Sequence, residues 1–375
     1  MPVESDFTSR WHDEQVASRV GLWLGAAFSV CFVTGLLSHL IQHPVWWFAW
    51  PTRPVWLYRA TQALHVVTGI AAVPLLLVKL WTVYPRFFAA PPVRSLVHGL
   101  ERLSVLALVS SALFELVSGL QNIAHWYPWG FSFPPAHYAT AWIAIGALLV
   151  HIAVKLPAIQ RGLSAPVDGE VEDEVEDGGP SRRWLLAATA GGAGVAVLAT
   201  AGMTVPWLRR VSVLAVRSGT GPQGVPVNKS AIAAGVTGSA RDPGWRLQIN
   251  GPGGQSSFSR ADLLAMPQHC AQLPIACVEG WSASATWSGV RVRTLADAVG
   301  APANAQIRFT SLQPGGVYRV SVLPARHVRD DLSLIALRID GADLDLDHGF
   351  PARLITPSRP GVLQTKWLSR LDVLT

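Results

Sequence analysis

Apolar residues are unevenly distributed along this chain, and the unevenness divides it in two. Five long runs, Val20–Ile41, Ala63–Trp81, Leu103–Leu120, Tyr138–Leu156 and Trp184–Val205, are almost free of charge. Each is long enough to cross about 30 Å of hydrocarbon as a helix. From Val211 onward the period shortens. Short β-branched runs alternate with Gly/Pro turns, and strands are predicted at Trp245–Asn250, Gln306–Ser311, Tyr318–Leu323, Leu334–Ile339 and Ala352–Thr356. Helical stretches are predicted at Ser259–Met266 and Thr294–Gly300. The pattern predicts a multi-domain chain: an all-α transmembrane four-helix bundle, a fifth anchoring helix, then an α+β domain.

The boundaries follow the pattern. Residues 1–160 form the four-helix membrane domain, 161–183 a linker, 184–205 the fifth helix and 206–375 the α+β domain. The linker contains SAPVDGEVEDEVEDGGP. It is acidic, lacks aromatic residues and has nothing with which to build a core, so disorder is expected there.

Charge sets the orientation. Arg10, Arg19, Lys79, Arg86, Arg94, Arg102, Lys155, Arg161, Arg182 and Arg183 flank one set of span ends. The opposite loops hold Trp46, Trp47, Trp50, Trp56, Trp126, Tyr127 and Trp129, an aromatic belt. The N-terminus is therefore expected on the cytoplasmic side of a prokaryotic membrane, and everything after Val205 outside. Only 14% of residues are charged, so the net charge of +6 is ascribed to membrane flanks and anion-binding residues, and nucleic acid is not an expected partner. Ser181-Arg182-Arg183-Trp184-Leu185-Leu186 resembles an internal twin-arginine export signal.

Histidines in the spans are costly and therefore informative. His137 and His151 are fourteen residues apart on one predicted helix, on about the same face and about 21 Å apart along its axis. Two stacked b-type haems need such an arrangement, with axial ligands from facing helices. The expected pairs are His65 with His137 and His98 with His151, His39 being an alternative to His65. Lys79 stands where the second helix would need a paired inner histidine, so one haem or two are both compatible. Glu115 is a candidate proton relay near a quinone or a helix-bridging hydrogen-bond partner. The layout resembles the four-helix membrane cytochromes b that exchange electrons with quinones.

Three cysteines do not make a disulfide framework. Cys31 lies inside a span, and Cys270 is read as incidental. Cys277 lies in LPIACVEGWSASATWSGV, a Gly/Ser/Trp-rich loop after an apolar run. A dithiolene pterin already gives molybdenum two sulfur ligands, so one protein thiolate suffices. The segment LDHGFPARLITPSRPGVLQTKWL gathers groups suited to an anionic cofactor: Arg353 as a fork, Lys366 as a point charge and His348 by either nitrogen.

The run Cys277-Val278-Glu279-Gly280-Trp281-Ser282 with Trp287-Ser288-Gly289-Val290 resembles the metal-ligand loop of the sulfite oxidase superfamily. The resemblance is closest to the bacterial branch with periplasmic protein-methionine-sulfoxide reductase catalytic subunits. His348 to Arg353 and Gly361 to Leu368 resemble its pterin-anchoring segment. The resemblance implies a molybdenum–molybdopterin cofactor held by Cys277, His348, Arg353 and Lys366, with Trp281, Ser282 and, by family position, Asn228. Tyr318, Arg319 and His327 are candidates for substrate orientation or proton transfer. The dimerisation domain of animal and plant sulfite oxidases is not expected after this segment, and the residues after Cys277 lack the basic pattern of a sulfite pocket; both argue against a dedicated sulfite oxidase. The expected function is oxygen-atom transfer with a small-molecule or methionine-sulfoxide-like substrate, coupled through haem to quinone. Oxidation of a sulfite-like substrate and a non-catalytic binding role are the alternatives.

Overall fold

The computed structural model of the chain describes residues 9, 11–88, 93–167, 180–216 and 221–374. Arg10 and the acidic stretch 168–179, on which the disordered-linker expectation rests, lie outside them. Two compact units divide the chain, and they do not follow its order. One comprises Met1–Leu36, Leu64–Gly202 and Trp207–Val216; the other Leu37–Ala63, Met203–Pro206 and Arg217–Thr375.

The first unit is helical. The chain forms α1 (Glu14–Gln42), α2 (Leu57–Val83), α3 (Leu96–Ile123), α4 (Phe133–Ser164) and α5 (Arg182–Thr200). Among the described residues, five helices are long and apolar enough to cross a membrane. Their apolar residues surround each helix rather than forming a stripe, as expected of helices whose outer faces meet hydrocarbon. Contacts between them are small and specific. Cys31 Sγ lies 3.0 Å from Thr68 Oγ1 between α1 and α2, and Phe32 meets Trp142 edge-on between α1 and α4. Lys155 pairs with Glu101 between α4 and α3. On α5, Leu185 and Leu186 bury themselves against Val16 and Val20 of α1.

Arg19 donates to the carbonyls of Gly162 (2.7 Å) and Ala165 (2.8 Å), satisfying the free C-terminal end of α4 with a cation. Lys79 donates to the carbonyl of Ala17 at 2.7 Å, and Arg182 pairs with Asp13 at 3.2 Å. The basic ends of α1, α2, α4 and α5 are thereby gathered at one end of this unit.

The fifth helix is shorter than the span expected to reach Val205. Its backbone leaves α geometry after Thr200 because the chain turns back on it. The Leu214 amide donates to Ala199 O (2.8 Å) and the Ser212 hydroxyl to Leu198 O (2.6 Å), occupying terminal carbonyls. Gly202 permits the turn: a Cβ there would stand 2.6 Å from Ser212 Cβ.

The second unit is built on two sheets. Its elements after α5 are α6 (Thr237–Arg241), β1 (Arg246–Gly251), β2 (Gly254–Ser259), α7 (Arg260–Ala265), β3 (His269–Ala276), β4 (Ser282–Arg291) and α8 (Val292–Ala298). There follow β5 (Gln306–Ser311), β6 (Val320–Leu323), α9 (Ala325–Val328), β7 (Leu334–Ile339), β8 (Ala342–Asp343), β9 (Arg353–Ile355) and β10 (Leu368–Leu374). One sheet has the order β2-β1-β10-β5-β6; the other runs β3-β4-β7-β8, with β9 also pairing with β7. β1 and β10 are parallel neighbours, and β10 pairs antiparallel with β5, which brings the C-terminal strand into the middle of the first sheet.

Alternation along the strands sorts side chains between cores. On β7, Ile335 and Leu337 enter the core shared with Leu247, Ile249, Ile307 and Phe309. Leu334 and Ala336 enter a second core with Trp287, and a register shift against β4 brings Ile339 to it as well. On β3, Ala271, Leu273 and Ile275 all face this second core, and the same period carries the next odd residue, Cys277, into it.

The stretch expected to form one loop around Cys277 is a hairpin: β3 and β4 pair from His269–Gly289 to Ala276–Ser282, leaving only Cys277–Trp281 as its turn. Tyr318 belongs to a 3-10 turn (Val317–Arg319) rather than to β6, because Gly316, at φ 107°, bends the chain before the strand begins.

Leu37–Ala63 is the N-terminal contribution to this unit. Ile41 and Tyr58 are buried against Ala276, Val362 and Leu363. Trp50, expected in the aromatic belt, instead donates its indole N–H to Ser358 O (2.8 Å) and Oγ (2.9 Å). Arg53 makes a two-pronged pair with Asp330 at 2.8 and 2.9 Å, and Arg59 donates to Ser284 Oγ at 2.9 Å.

Gly289 shows how tightly the second sheet is closed: an added Cβ would lie 2.0 Å from Ile335 O and 2.8 Å from Ala336 Cα, both backbone atoms. Gly289→Ala is therefore expected to destabilise the protein by about 1–3 kcal/mol, through displaced β4–β7 pairing. Thermal unfolding of the full chain in detergent checks this, with an unchanged midpoint as the contrary result.

Candidate active site

The turn after β3 fixes the thiol. Gly280, at φ 84°, allows its amide to donate to Cys277 O (3.1 Å), while the Cys277 amide donates to Trp281 O (2.9 Å). Thr204 donates its hydroxyl to Gly280 O. A parallel bridge between Ala276 and Pro360 lays this turn beside the Pro357–Thr365 segment. Cys277 is fully buried and forms no disulfide, and Cys270 is exposed. Burial, and after it the Glu279 carboxylate, raises the Cys277 pKa well above the usual thiol value. The thiol is thus held protonated until a metal takes its proton.

Cys277 opens on a cavity of about 750 Å³, counting the solvent at its mouth. Asn228, Trp281, Tyr318, His348, Arg353 and Lys366 line it as well. These side chains come from five separated stretches of sequence. Arg353 begins β9 and is buried, with its guanidinium 5.0 Å over the Trp287 ring. It donates to the carbonyls of His348 (3.1 Å) and Gln364 (3.3 Å), and its Nε has no partner among the described residues. Burial lowers its pKa to about 9.

Lys366 donates to the carbonyls of Lys229 (2.6 Å) and Asp347 (2.9 Å), leaving its third proton. Burial first, then the Arg353 charge, lowers its pKa to about 7. His348 approaches the Pro222 carbonyl with Nε2 at 2.5 Å, and burial brings its pKa to about 4. Gly349, at φ 106°, lets His348, Arg353 and Lys366 crowd together: a Cβ would touch both Arg353 Cβ and Lys366 Cβ at 3.0–3.1 Å.

The cavity's demands are those of a large polar anion. It offers two cations, the buried Arg353 and the part-buried Lys366, that donate to neutral carbonyls. It also offers an orphan donor (Arg353 Nε) and an orphan acceptor (Gln364 Oε1) among the described residues. These fit a pterin ring, which both donates and accepts, and the phosphate it carries. Cys277 would be the soft ligand for a metal held there.

Comparison with known proteins agrees with the geometry. Residues 234–375 match the family described as Oxidoreductase molybdopterin binding domain. The C-terminal unit carries an oxidoreductase-type molybdopterin-binding domain. Mitochondrial sulfite oxidase of Mus musculus is 29% identical over 157 residues, 34% of this chain and 29% of that protein. A protein of Azospira oryzae assigned as a protein-methionine-sulfoxide reductase subunit, YedZ1, is 31% identical over 130 residues, 34% of this chain and 48% of that protein. The chain thus spans less than half the length of either curated relative. Sulfane dehydrogenase SoxCD from Paracoccus pantotrophus aligns with a TM-score of 0.32 and 24% identity, covering 35% of this chain and 38% of that one.

Not all the site candidates meet at this cavity. Ser282 is buried at the start of β4, outside the lining. Arg319 follows Tyr318 in the turn but points into a separate surface cavity with Arg246 and Arg370. His327 is buried in α9, where burial and then the Arg359 charge hold its pKa near 3. Lys229 and Gln313 line the cavity although the sequence pattern does not point to them, and Gln364 and Thr365 line it from within the Gly361–Leu368 stretch, where neither was singled out. Two of them lie within the Pro357–Thr365 segment, and Lys229 is next to Asn228, so proximity to a candidate is the signal that finds them.

Among the membrane-span histidines, His65 and His137 face each other in the helical unit with ring centroids 6.4 Å apart. His65 Nδ1 lies 2.9 Å from Cys31 O and 3.1 Å from Thr34 Oγ1. His137 has Ser118 Oγ 3.1 Å from Nδ1 and Glu115 Oε2 3.1 Å from Nε2. His39, which falls in the other unit, stacks on His43 at 4.5 Å. His98 accepts the Arg94 amide through Nδ1 (3.1 Å), and His151 has Lys79, Lys155 and Glu101 as charged neighbours.

Two opposite pH effects follow at the cavity. Lys366 has a folded pKa near 7, so above that pH an anionic pterin binds with uptake of a proton and binding weakens, by up to about tenfold per pH unit. Cys277 releases a proton to the metal, which favours higher pH. In Cys277→Ala protein only the first effect remains: molybdopterin retained after dialysis is expected to fall between about pH 7 and about pH 9, and the further change Lys366→Met to flatten the curve.

Proposed function

We propose that the chain is a membrane-bound molybdenum oxidoreductase that exchanges electrons between the quinone pool, through b-type haem, and an S-oxide or N-oxide outside the cytoplasmic membrane of a prokaryote. The observation that carries this reading is the meeting of Cys277 with Arg353 and Lys366 around one cavity. Bound there, molybdopterin supplies a metal that takes up or returns an oxygen atom.

The protein's own residues then do three things. Arg353, Lys366 and His348 hold the cofactor's anionic and acceptor groups. Trp281 and Tyr318 wall the space beside Cys277, and Tyr318 keeps its proton because burial, then Cys277 and Glu279, raise its pKa. The apolar residues Ile275 and Val362 restrict water. Reduction of an S-oxide to a thioether takes up two electrons and two protons and releases water; quinol supplies both.

The haem proposal rests on His65 and His137. Their separation suits one metal between two imidazoles at bonds of about 2 Å, and the His65 Nδ1 contact to a carbonyl is a usual outer-shell arrangement. Glu115 would have to yield His137 Nε2. The residues fit one such group better than two. The gathered basic helix ends support a cytoplasmic N-terminus and an extracytoplasmic C-terminal domain. Ser181 caps α5, accepting from the Trp184 amide at 3.1 Å, so a twin-arginine export role would use a preformed helix start. Oxidation of a sulfite-like anion is the second reading, favoured by the cationic cavity and the sulfite oxidase relative.

Full-length protein purified in detergent is expected to contain molybdenum and to show b-type bands in its reduced-minus-oxidised spectrum. His65→Ala and His137→Ala each remove those bands. Cys277→Ala keeps them but loses S-oxide reduction by at least about a hundredfold. Molybdenum without b-type absorption would reduce the helices to an anchor; absence of molybdenum would overturn the reading.

A further inference from the structure

From Tyr318, in the wall of the cavity, a chain of hydrogen bonds runs into Leu37–Ala63. The Tyr318 hydroxyl donates to Gln42 Oε1 at 3.2 Å. The Gln42 amide has a fixed sense, because its Nε2 donates to both Ser38 O and Ser38 Oγ at 3.2 Å. Ser38 Oγ lies 3.0 Å from the Tyr58 hydroxyl, which donates to Gln62 Oε1 at 3.4 Å. Each hydroxyl has one proton to give. Read in order, every donor points away from the cavity: Tyr318 to Gln42, Gln42 to Ser38, Ser38 to Tyr58, Tyr58 to Gln62.

The direction has a chemical consequence. With its only proton committed to Gln42, the Tyr318 oxygen presents lone pairs, not a proton, to the space beside Cys277. An S-oxide oxygen is an acceptor and gains nothing there. Water, formed from that oxygen with two protons and two electrons from quinol, is a donor and is matched. The surroundings hold the arrangement: Tyr58 is buried against Ala276, Val362 and Leu363, with Tyr318 packed on the same cluster. Gln42 is the last residue of α1, far in sequence from residues 234–375.

We propose that Gln42 is a positioning residue: it fixes the Tyr318 phenol as a hydrogen-bond acceptor toward the cavity, so that this wall receives the water made from the substrate's oxygen, two protons and two electrons. This rests on the oxygen-transfer reading above. The test compares Gln42→Met, which keeps the length and loses the acceptor, with Gln42→Glu, which keeps the acceptor toward Tyr318 and, as the protonated acid, the donor toward Ser38. Methionine sulfoxide is the substrate, reduced benzyl viologen the donor, and rates are normalised to molybdenum content.

Gln42→Met is expected to lower kcat about fivefold with KM within about twofold, and Gln42→Glu to stay near the parent. On a Tyr318→Phe background Gln42→Met should cost nothing more, since both changes remove one interaction. Independently of turnover, hydrogen exchange of the amides from Gly315 to Val320 should quicken in Gln42→Met and not in Gln42→Glu. Multiplying losses in the double variant, or unchanged exchange in Gln42→Met, overturns the proposal. Unchanged exchange counts against the role of Gln42 alone. Failure of the parent to reduce methionine sulfoxide, with exchange as expected, counts against the substrate reading instead.

Discussion

Two cations held by backbone carbonyls, one buried and one part-buried, organise the C-terminal unit. Removing a guanidinium and an ammonium from water is costly, and carbonyl dipoles recover only part of the loss. The depressed pKa values of Arg353 and Lys366 are that cost expressed as proton affinity. The rings of Trp287 and Trp367 beneath them soften it. What remains is a standing demand for negative charge at one place, and the rest of the architecture serves it. β9 holds Arg353, the positive-φ Gly349 brings its neighbours close, and the C-terminal strand inserted beside β1 anchors the segment that ends in Lys366.

Cys277 reaches the same place by a different route. A run of alternate apolar residues on β3 ends in a thiol that shares their direction. Burial therefore comes from sheet register, and it keeps the thiol protonated. The turn that follows is closed by two backbone hydrogen bonds and by Thr204, so the sulfur's position owes little to its own side-chain freedom.

Much of this is legible in the sequence, and unequally so. The five apolar runs are helices because length and freedom from charge are strong signals, and Leu334–Ile339 is a strand with the bounds its alternation implies. The end of the fifth helix escapes a local reading because what stops it is Ser212 and Leu214 folding back, a tertiary event. The Cys277 stretch looks like a loop because Gly, Ser and Trp obscure a hairpin whose strands are held by pairing partners rather than by propensity. Tyr318 and Arg319 look equivalent side by side; a turn after Gly316 sends them into different cavities. Nothing in the residues announces that Leu37–Ala63 joins the C-terminal unit, since such contacts link positions some three hundred apart in number.

That last junction bears on how the domain can be handled. The faces of Ala276, Val362 and Leu363 are covered by Ile41 and Tyr58, which are translated long before them. A fragment cut to the sheets alone would present an oily scar where the early segment had lain, directly behind the thiol turn. Any soluble excerpt of this oxidoreductase would need that covering supplied in trans or replaced by polar side chains.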